Sequence, residues 1–74
     1  MARLYLLDDN HHTFEDVVAV LRKYFSFPIT QGQSIAHIVH NTGKCDIYTG
    51  DIEHIKLLYE LLRSDGFNVE IDET

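Results

Sequence analysis

"RLYLLDDNHHTFEDVVAVLRKYF", residues 3–25, carries two different periodicities on either side of a polar knot. Residues 3–7 are short, apolar and mixed with an aromatic, which fits a buried strand better than a single helical turn. From Phe14 onward the apolar residues fall at Phe14, Val17, Val18, Leu21, Tyr24 and Phe25, the spacing of one helical face. Thr13, with Asp16 three positions on, has the form of a capping box in which Asp stands in for the usual Glu. The stretch therefore reads as strand, loop, helix, and its loop gathers Asp8, Asp9, Asn10, His11 and His12.

Working outward, Ser26, Phe27 and Pro28 end this helix, because proline disfavours helical geometry in the residue before it. Thr30 with Gln33 predicts a second cap, and Ile35, Ala36, Ile38 and Val39 mark a shorter helix reaching about Asn41, weakened by Gly32 and Ser34. Thr42, Gly43 and Lys44 read as a turn, and residues 45–49 alternate Cys45, Ile47 and Thr49 against Asp46 and Tyr48, as a strand does. Thr49 is predicted to cap a third helix with Asp51 and Glu53 in its first turn, where acids suit the positive end of the helix dipole. The apolar face of that helix uses Ile52, Ile55, Leu58, Tyr59 and Leu62, Gly66 caps its end, and residues 67–71 alternate as a last strand. The order β-α-α-β-α-β predicts an α+β two-layer sandwich, a three-stranded antiparallel sheet with three helices over one face. There is no repeat, linker or low-complexity segment, so residues 1–74 are expected to form a single domain.

Composition narrows the function. With 45% hydrophobic and 24% charged residues the chain is of the globular type. Its net charge of −6 repels a phosphate backbone, which argues against nucleic acid and favours a cationic ligand or a basic patch on another protein. Cys45 is the single cysteine and has no internal partner, so nothing demands an oxidising compartment. No apolar run approaches the roughly 20 residues of a membrane span, and the first ten residues lack the apolar core of a signal peptide. A cytoplasmic, monomeric chain with no membrane partner is expected.

The polar knot invites a metal or catalytic reading. His37 and His40 lie three apart and can share a helical face, and a divalent-metal site built from Asp8, Asp9, His11, His12 and His40 is one alternative. The spacing matches no structural zinc framework, and the expectation is no metal and no cofactor. No GxSxG, HExxH or P-loop is present, and Cys45 sits in a predicted strand where a small buried thiol is the ordinary role, so the chain is not expected to be an enzyme.

The run LLDDNHHTFEDVVAVLRKYFSF, followed by SIAHIVHNTGK, resembles the ClpS family, adaptors that recognise N-terminal degradation signals and hand proteins to a Clp AAA+ protease. That family's strand ends in N-D-D-x-T-P-M-E, its first helix runs V-x-x-V-L into F-F-S, and its second ends in V-H-x-x-G. Here the matching residues are Asp8 to Glu15, Val17 to Leu21 into Tyr24, Phe25 and Ser26, and Val39, His40 and Gly43, without a gap from Asp8 to Gly43. The resemblance covers nearly the whole chain, with a shorter second hairpin and a shorter end to the third helix.

The resemblance implies that Asp8, Asn10 and His40, with Asp9 nearby, accept hydrogen bonds from the free α-amino group of a bound peptide. An α-amino group with a pKa of about 8 is largely an ammonium at neutral pH, and it offers three donors to carboxylate, amide and imidazole acceptors. N-D-D has become D-D-N here, which exchanges amide and carboxylate while keeping one of each at the two contacting positions. A hydrophobic pocket for a large first residue is implied at His12, Phe14, Val17, Ala36, Val39 and Val69. Phe14 and Ala36 each replace a family methionine and His12 replaces a threonine, so the pocket is expected to be reshaped. Docking on the N-terminal domain of the Clp unfoldase is implied for Asp51 and Lys56. The adaptors carry an extended arm before the first strand, whereas Met1 and Ala2 alone precede it here, so the expectation is a binder with that arm essentially absent. The implied partners are the unfoldase and proteins with a free hydrophobic N-terminal residue. The contrasting expectation is a domain that docks on the unfoldase without binding N-terminal residues.

Overall fold

The computed structural model describes residues 1–73, in the order β1 (Ala2–Leu7), α1 (Phe14–Phe25), α2 (Ile29–Thr42), β2 (Lys44–Gly50), α3 (Ile52–Ser64) and β3 (Asn68–Glu73). The sheet order is β2-β1-β3, with β1 antiparallel to both neighbours. This is the α+β arrangement of three strands and three helices that the periodicities predict. Ala2, Leu4 and Leu6 of β1 are buried, while the alternate residues Arg3, Tyr5 and Leu7 are exposed or half-buried, as a strand covered on one face requires. Leu4, Leu6, Leu21, Val39, Ile55 and Leu62 are fully buried in one core drawn from strands and all three helices. Removing each such side chain from water contributes roughly 1.5–3 kcal/mol. On the open face the Lys44 ammonium lies 4.8 Å from the centre of the Tyr5 ring and 3.3 Å from Glu70 Oε1, so it crosses β1 from β2 to β3.

Both halves of the predicted capping box are present at α1. The Asp16 amide donates to Thr13 Oγ1 at 3.2 Å and the Thr13 amide donates to Asp16 Oδ2 at 2.9 Å, so Asp serves where Glu is usual. Other ends differ from the sequence reading. The cap expected at Thr30 and Gln33 does not form, because α2 starts two residues earlier, at Ile29, on Pro28, whose ring fixes φ at −62° and whose carbonyl accepts from the Gly32 amide at 3.0 Å. Thr49 does not cap α3 either. Strand β2 runs on to Gly50, which pairs with Ala2, so Asp51 becomes the N-cap residue, without a side-chain cap bond, and Glu53 is the acid of the first turn. The strict alternation expected of residues 45–49 is broken by a register shift, since Leu4 pairs with Tyr48 and Tyr5 with Asp46. Ile47 is buried and Tyr48 packs against the core, whereas Thr49 is exposed, as an extra residue inserted into one strand dictates.

Gly66 ends α3 as expected. Its φ is +87°, its amide donates to the Arg63 carbonyl at 2.9 Å, and the next amide, of Phe67, donates to Leu62 at 3.0 Å, the two bonds of a Schellman turn. Helix α1 ends instead on Ser26, at φ 56°, where a side chain is strained. The Gly66→Ala variant is therefore expected to lose about 1 kcal/mol and Ser26→Gly to gain a similar amount, thermal-melt shifts of about 4–8 °C in opposite directions for a chain of this size.

Candidate functional site

The polar loop leaves β1 where the strand is pinned on both sides, Leu7 pairing with Lys44 and with Asn68. The following amide, of Asp8, donates to the carbonyl of Gly43 at 2.9 Å, and the Gly43 amide donates to Val39 at 2.9 Å. Gly43 takes φ +97°, the left-handed conformation that lets α2 stop and β2 begin at once. The backbone thereby sets the start of the loop against the last turn of α2. Asp8 Oδ1 stands 3.1 Å from His40 Nδ1, with both side chains about one-third exposed, 40% and 31% respectively. A single ammonium nitrogen beside this pair is within hydrogen-bond reach of both atoms. Asn10 is exposed in the same loop, and among the described residues its side chain makes no hydrogen bond within the protein.

A second aspartate–histidine pair has a different character. The Asp9 side chain is only 7% exposed, and its Oδ1 accepts from the amides of His11 and His12, both at 2.8 Å. Asp9 Oδ2 stands 2.9 Å from His12 Nδ1, and since a carboxylate can only accept, that nitrogen is the donor. The His12 ring stacks on Phe67 at 3.8 Å between centroids, over the Schellman turn of α3, where Gly66 also lies against it. The loop is thus fastened to the far end of the sheet, and His12 faces a cavity shared with Lys23, Asp65 and Phe67. Asp9 and Phe67 were not singled out by sequence reasoning for these roles. The signal for Asp9 was present in its position two and three residues ahead of the amides it receives, the habit of an Asx turn.

The residues expected to form a hydrophobic pocket are brought together only in part. Val17, Ala36, Val39 and Val69 are 4%, 0%, 1% and 8% exposed, so all four belong to the core and reach a ligand only after neighbouring side chains move aside. Phe14 is half-buried, with its ring 4.9 Å from His37 edge-on and 6.1 Å from His40 in near-parallel stacking. His37, absent from the expected set, therefore supports Phe14 beside the Asp8–His40 pair. Asp51 is the N-cap residue of α3 and Lys56 lies within that helix, and both are exposed. The candidate metal ligands do not converge: they separate into the Asp8–His40 and Asp9–His12 pairs, and among the described residues no group of three His, Cys, Asp or Glu is placed to hold an ion. Cys45 is half-buried, and burial pushes its thiol pKa up, away from the reactive thiolate.

Burial by itself raises the Asp9 pKa, the largest single influence on it, but the His12 ring and the two amides together outweigh that and hold the carboxyl below its ordinary value of 3.8. A depressed carboxyl contributes stability that is present above the unfolded pKa and lost as pH falls through the folded one. Asp9→Asn is expected to cost about 1–3 kcal/mol at neutral pH. In urea titrations across pH, its deficit against the parent chain should shrink below about pH 4.

No helix among the described residues is long and apolar enough to cross a membrane. Residues 1–69 match the family model described as ATP-dependent Clp protease adaptor protein ClpS. The chain is 31% identical over 61 residues to the ATP-dependent Clp protease adapter protein ClpS of Sodalis glossinidius, an alignment that covers 80% of this chain and 58% of that protein. It is 30% identical over 59 residues to the protein of the same name from an Enterobacter species, covering 77% and 56%. The Serratia proteamaculans protein of that name is 30% identical over 61 residues, covering 80% and 58%. The chain thus spans a little over half the length of the curated relatives it matches. The strand–loop–helix stretch, the V-H-x-x-G end of α2 and the family match over most of the sequence agree, and the chain belongs to the ClpS family.

Proposed function

We propose that the protein is a non-enzymatic adaptor that binds the free N-terminal residue of other proteins and presents them to a Clp AAA+ unfoldase. The observation that carries this reading is the Asp8 carboxylate held 3.1 Å from the His40 imidazole at a partly open surface, in a chain of the ClpS family. An α-ammonium placed between them gains a charge-assisted bond to Asp8 and a second bond to neutral His40 when the ring carries its proton on Nε2 and leaves Nδ1 free to accept, with Asn10 in the same loop to accept the third N–H. Blocking the amine removes the charge and a donor, so recognition of a free N-terminus follows from the chemistry of the pair. A large hydrophobic first side chain would enter beside Phe14, over Val17, Ala36, Val39 and Val69, and His12 holds the loop while it does so. Because those four walls are in the core, entry requires a shift, and the measured affinity is reduced by the fraction of molecules that are open. The unfoldase surface is assigned to Asp51, at the start of α3, and Lys56 within it, since exposed charges contribute little to stability and are free to serve a partner.

Buried pocket walls also favour a second reading, a domain that docks on the unfoldase and no longer binds peptides. Fluorescent peptides that differ in the first residue, with free or acetylated amines, separate the two. Adaptor function predicts binding of Leu, Phe, Tyr or Trp peptides that is lost on acetylation and weakened about tenfold or more by Asp8→Ala or His40→Ala, with an unchanged circular dichroism spectrum. Asp51→Lys and Lys56→Glu should leave peptide binding intact and weaken association with the unfoldase N-terminal domain. Absence of binding to every free-amine peptide, with unfoldase association retained, would establish the docking-only reading.

A further inference from the structure

Helices α1 and α2 run side by side in opposite directions, and their seam is open. The ring of Phe14 meets His37 and His40, Gly32 lies against Val18 so closely that a Cβ there would stand 3.3 Å from Val18 Cγ1, and Arg22 faces Ile29. One stripe of α1, Phe14, Val18 and Arg22, thus faces one stripe of α2, His40, His37, Gln33 and Ile29. Phe14, Val18 and Arg22 of α1 with Gln33 and Ile29 of α2 line a mainly apolar trough of about 270 Å³. Ile29 is 49% exposed at its foot, an apolar side chain with no covering partner.

Phe14, at the head of this trough, also packs on His40, so the Asp8–His40 pair stands just beyond the trough's own lining. Its charges are ordered along its length: Glu15 stands at the head, on the side of Asp8, and Arg22 at the foot. Among the described residues Arg22 makes no ion pair, in a chain with twice as many acids as Lys and Arg. From Phe14 to Arg22 is eight residues, about 12 Å along a helix. An extended peptide rising about 3.3 Å per residue covers that distance in three to four residues.

We propose that the α1–α2 trough is a subsite for the residues that follow the N-terminal one in a bound peptide, taking apolar side chains over Val18 and Ile29 and an acidic side chain on Arg22. This rests on amine capture at Asp8 and His40, which sets both the starting point and the direction of the chain. Its occupant is an extended segment whose charge runs from ammonium to carboxylate, the reverse of the trough. Apolar second and third residues gain by leaving water, and an acid at about the fourth or fifth position meets the one cation at the trough's foot.

The test uses the full chain and fluorescent peptides that share Leu as first residue. Two arms carry Val-Ile or Gly-Gly at the second and third positions, each with Asp or Lys at the fifth, and each is made with a free or acetylated amine. The expected result is binding about tenfold weaker for Gly-Gly than for Val-Ile, and about threefold weaker for Lys than for Asp. Arg22→Glu should reverse the preference between Asp and Lys, and Ile29→Ser should remove most of the preference for Val-Ile. Both positions are exposed, and circular dichroism melts establish that the variants are folded. If the free amine is required but all four internal sequences bind alike and the variants change nothing, the subsite is overturned while amine capture stands. If acetylation has no effect, or no peptide binds, amine capture fails and the subsite falls with it.

Discussion

The structure depends on the double pairing of β1. As the central strand of three it is bonded along its whole length to β2 and β3, and its inward residues Ala2, Leu4 and Leu6 join the one core to which all three helices contribute. The strand delivers the chain to one point, the end of α2, where the Asp8 amide finds the Gly43 carbonyl. A one-residue slip of β1 would turn its leucines to solvent and carry Asp8 away from His40. Core and site are therefore set by one register.

From that point the loop divides its polar residues between two tasks. Asp9 and His12 are largely shielded, mutually bonded and stacked on Phe67, so they hold the loop to the turn after α3. Asp8 and His40 are the same two residue types at a similar separation, 3.1 Å against 2.9 Å, but remain partly open to solvent. An Asp–His contact that is buried and saturated by backbone amides has no acceptor capacity left to offer. One that is open and otherwise unbonded can take a cation from outside. The neighbouring pairs differ in role because the fold buries one and not the other.

The acidic balance has the same logic at larger scale. A net charge of −6 draws ammonium groups toward the protein, while Arg22 supplies a local exception beside an apolar trough. Phe14 belongs to α1 and Ala36 to α2. The Phe14 ring rests on His37 and His40, and Ala36 is wholly buried.

The sequence by itself determined the elements and their order. Local pattern decides these: the helical stripe from Phe14 to Phe25, the Thr13–Asp16 box, Gly66 after α3 and the alternation of residues 67–71 are all short-range consequences of side-chain chemistry. The family's motif residues were legible too, since Asp8, Asn10 and His40 stand in quoted stretches. Tertiary structure decided the rest. That Pro28 rather than Thr30 starts α2, and that β2 extends past Thr49 with a register shift at Ile47, follow from proline geometry and from pairing with a strand forty residues earlier, which no local window contains. Only the fold could distinguish the anchored Asp9–His12 pair from the open Asp8–His40 pair, because burial and the identity of Phe67 as neighbour come from elements far apart in sequence. Residue type fixes which bonds a side chain can make, and the packing of distant segments fixes which of those bonds are left for a ligand.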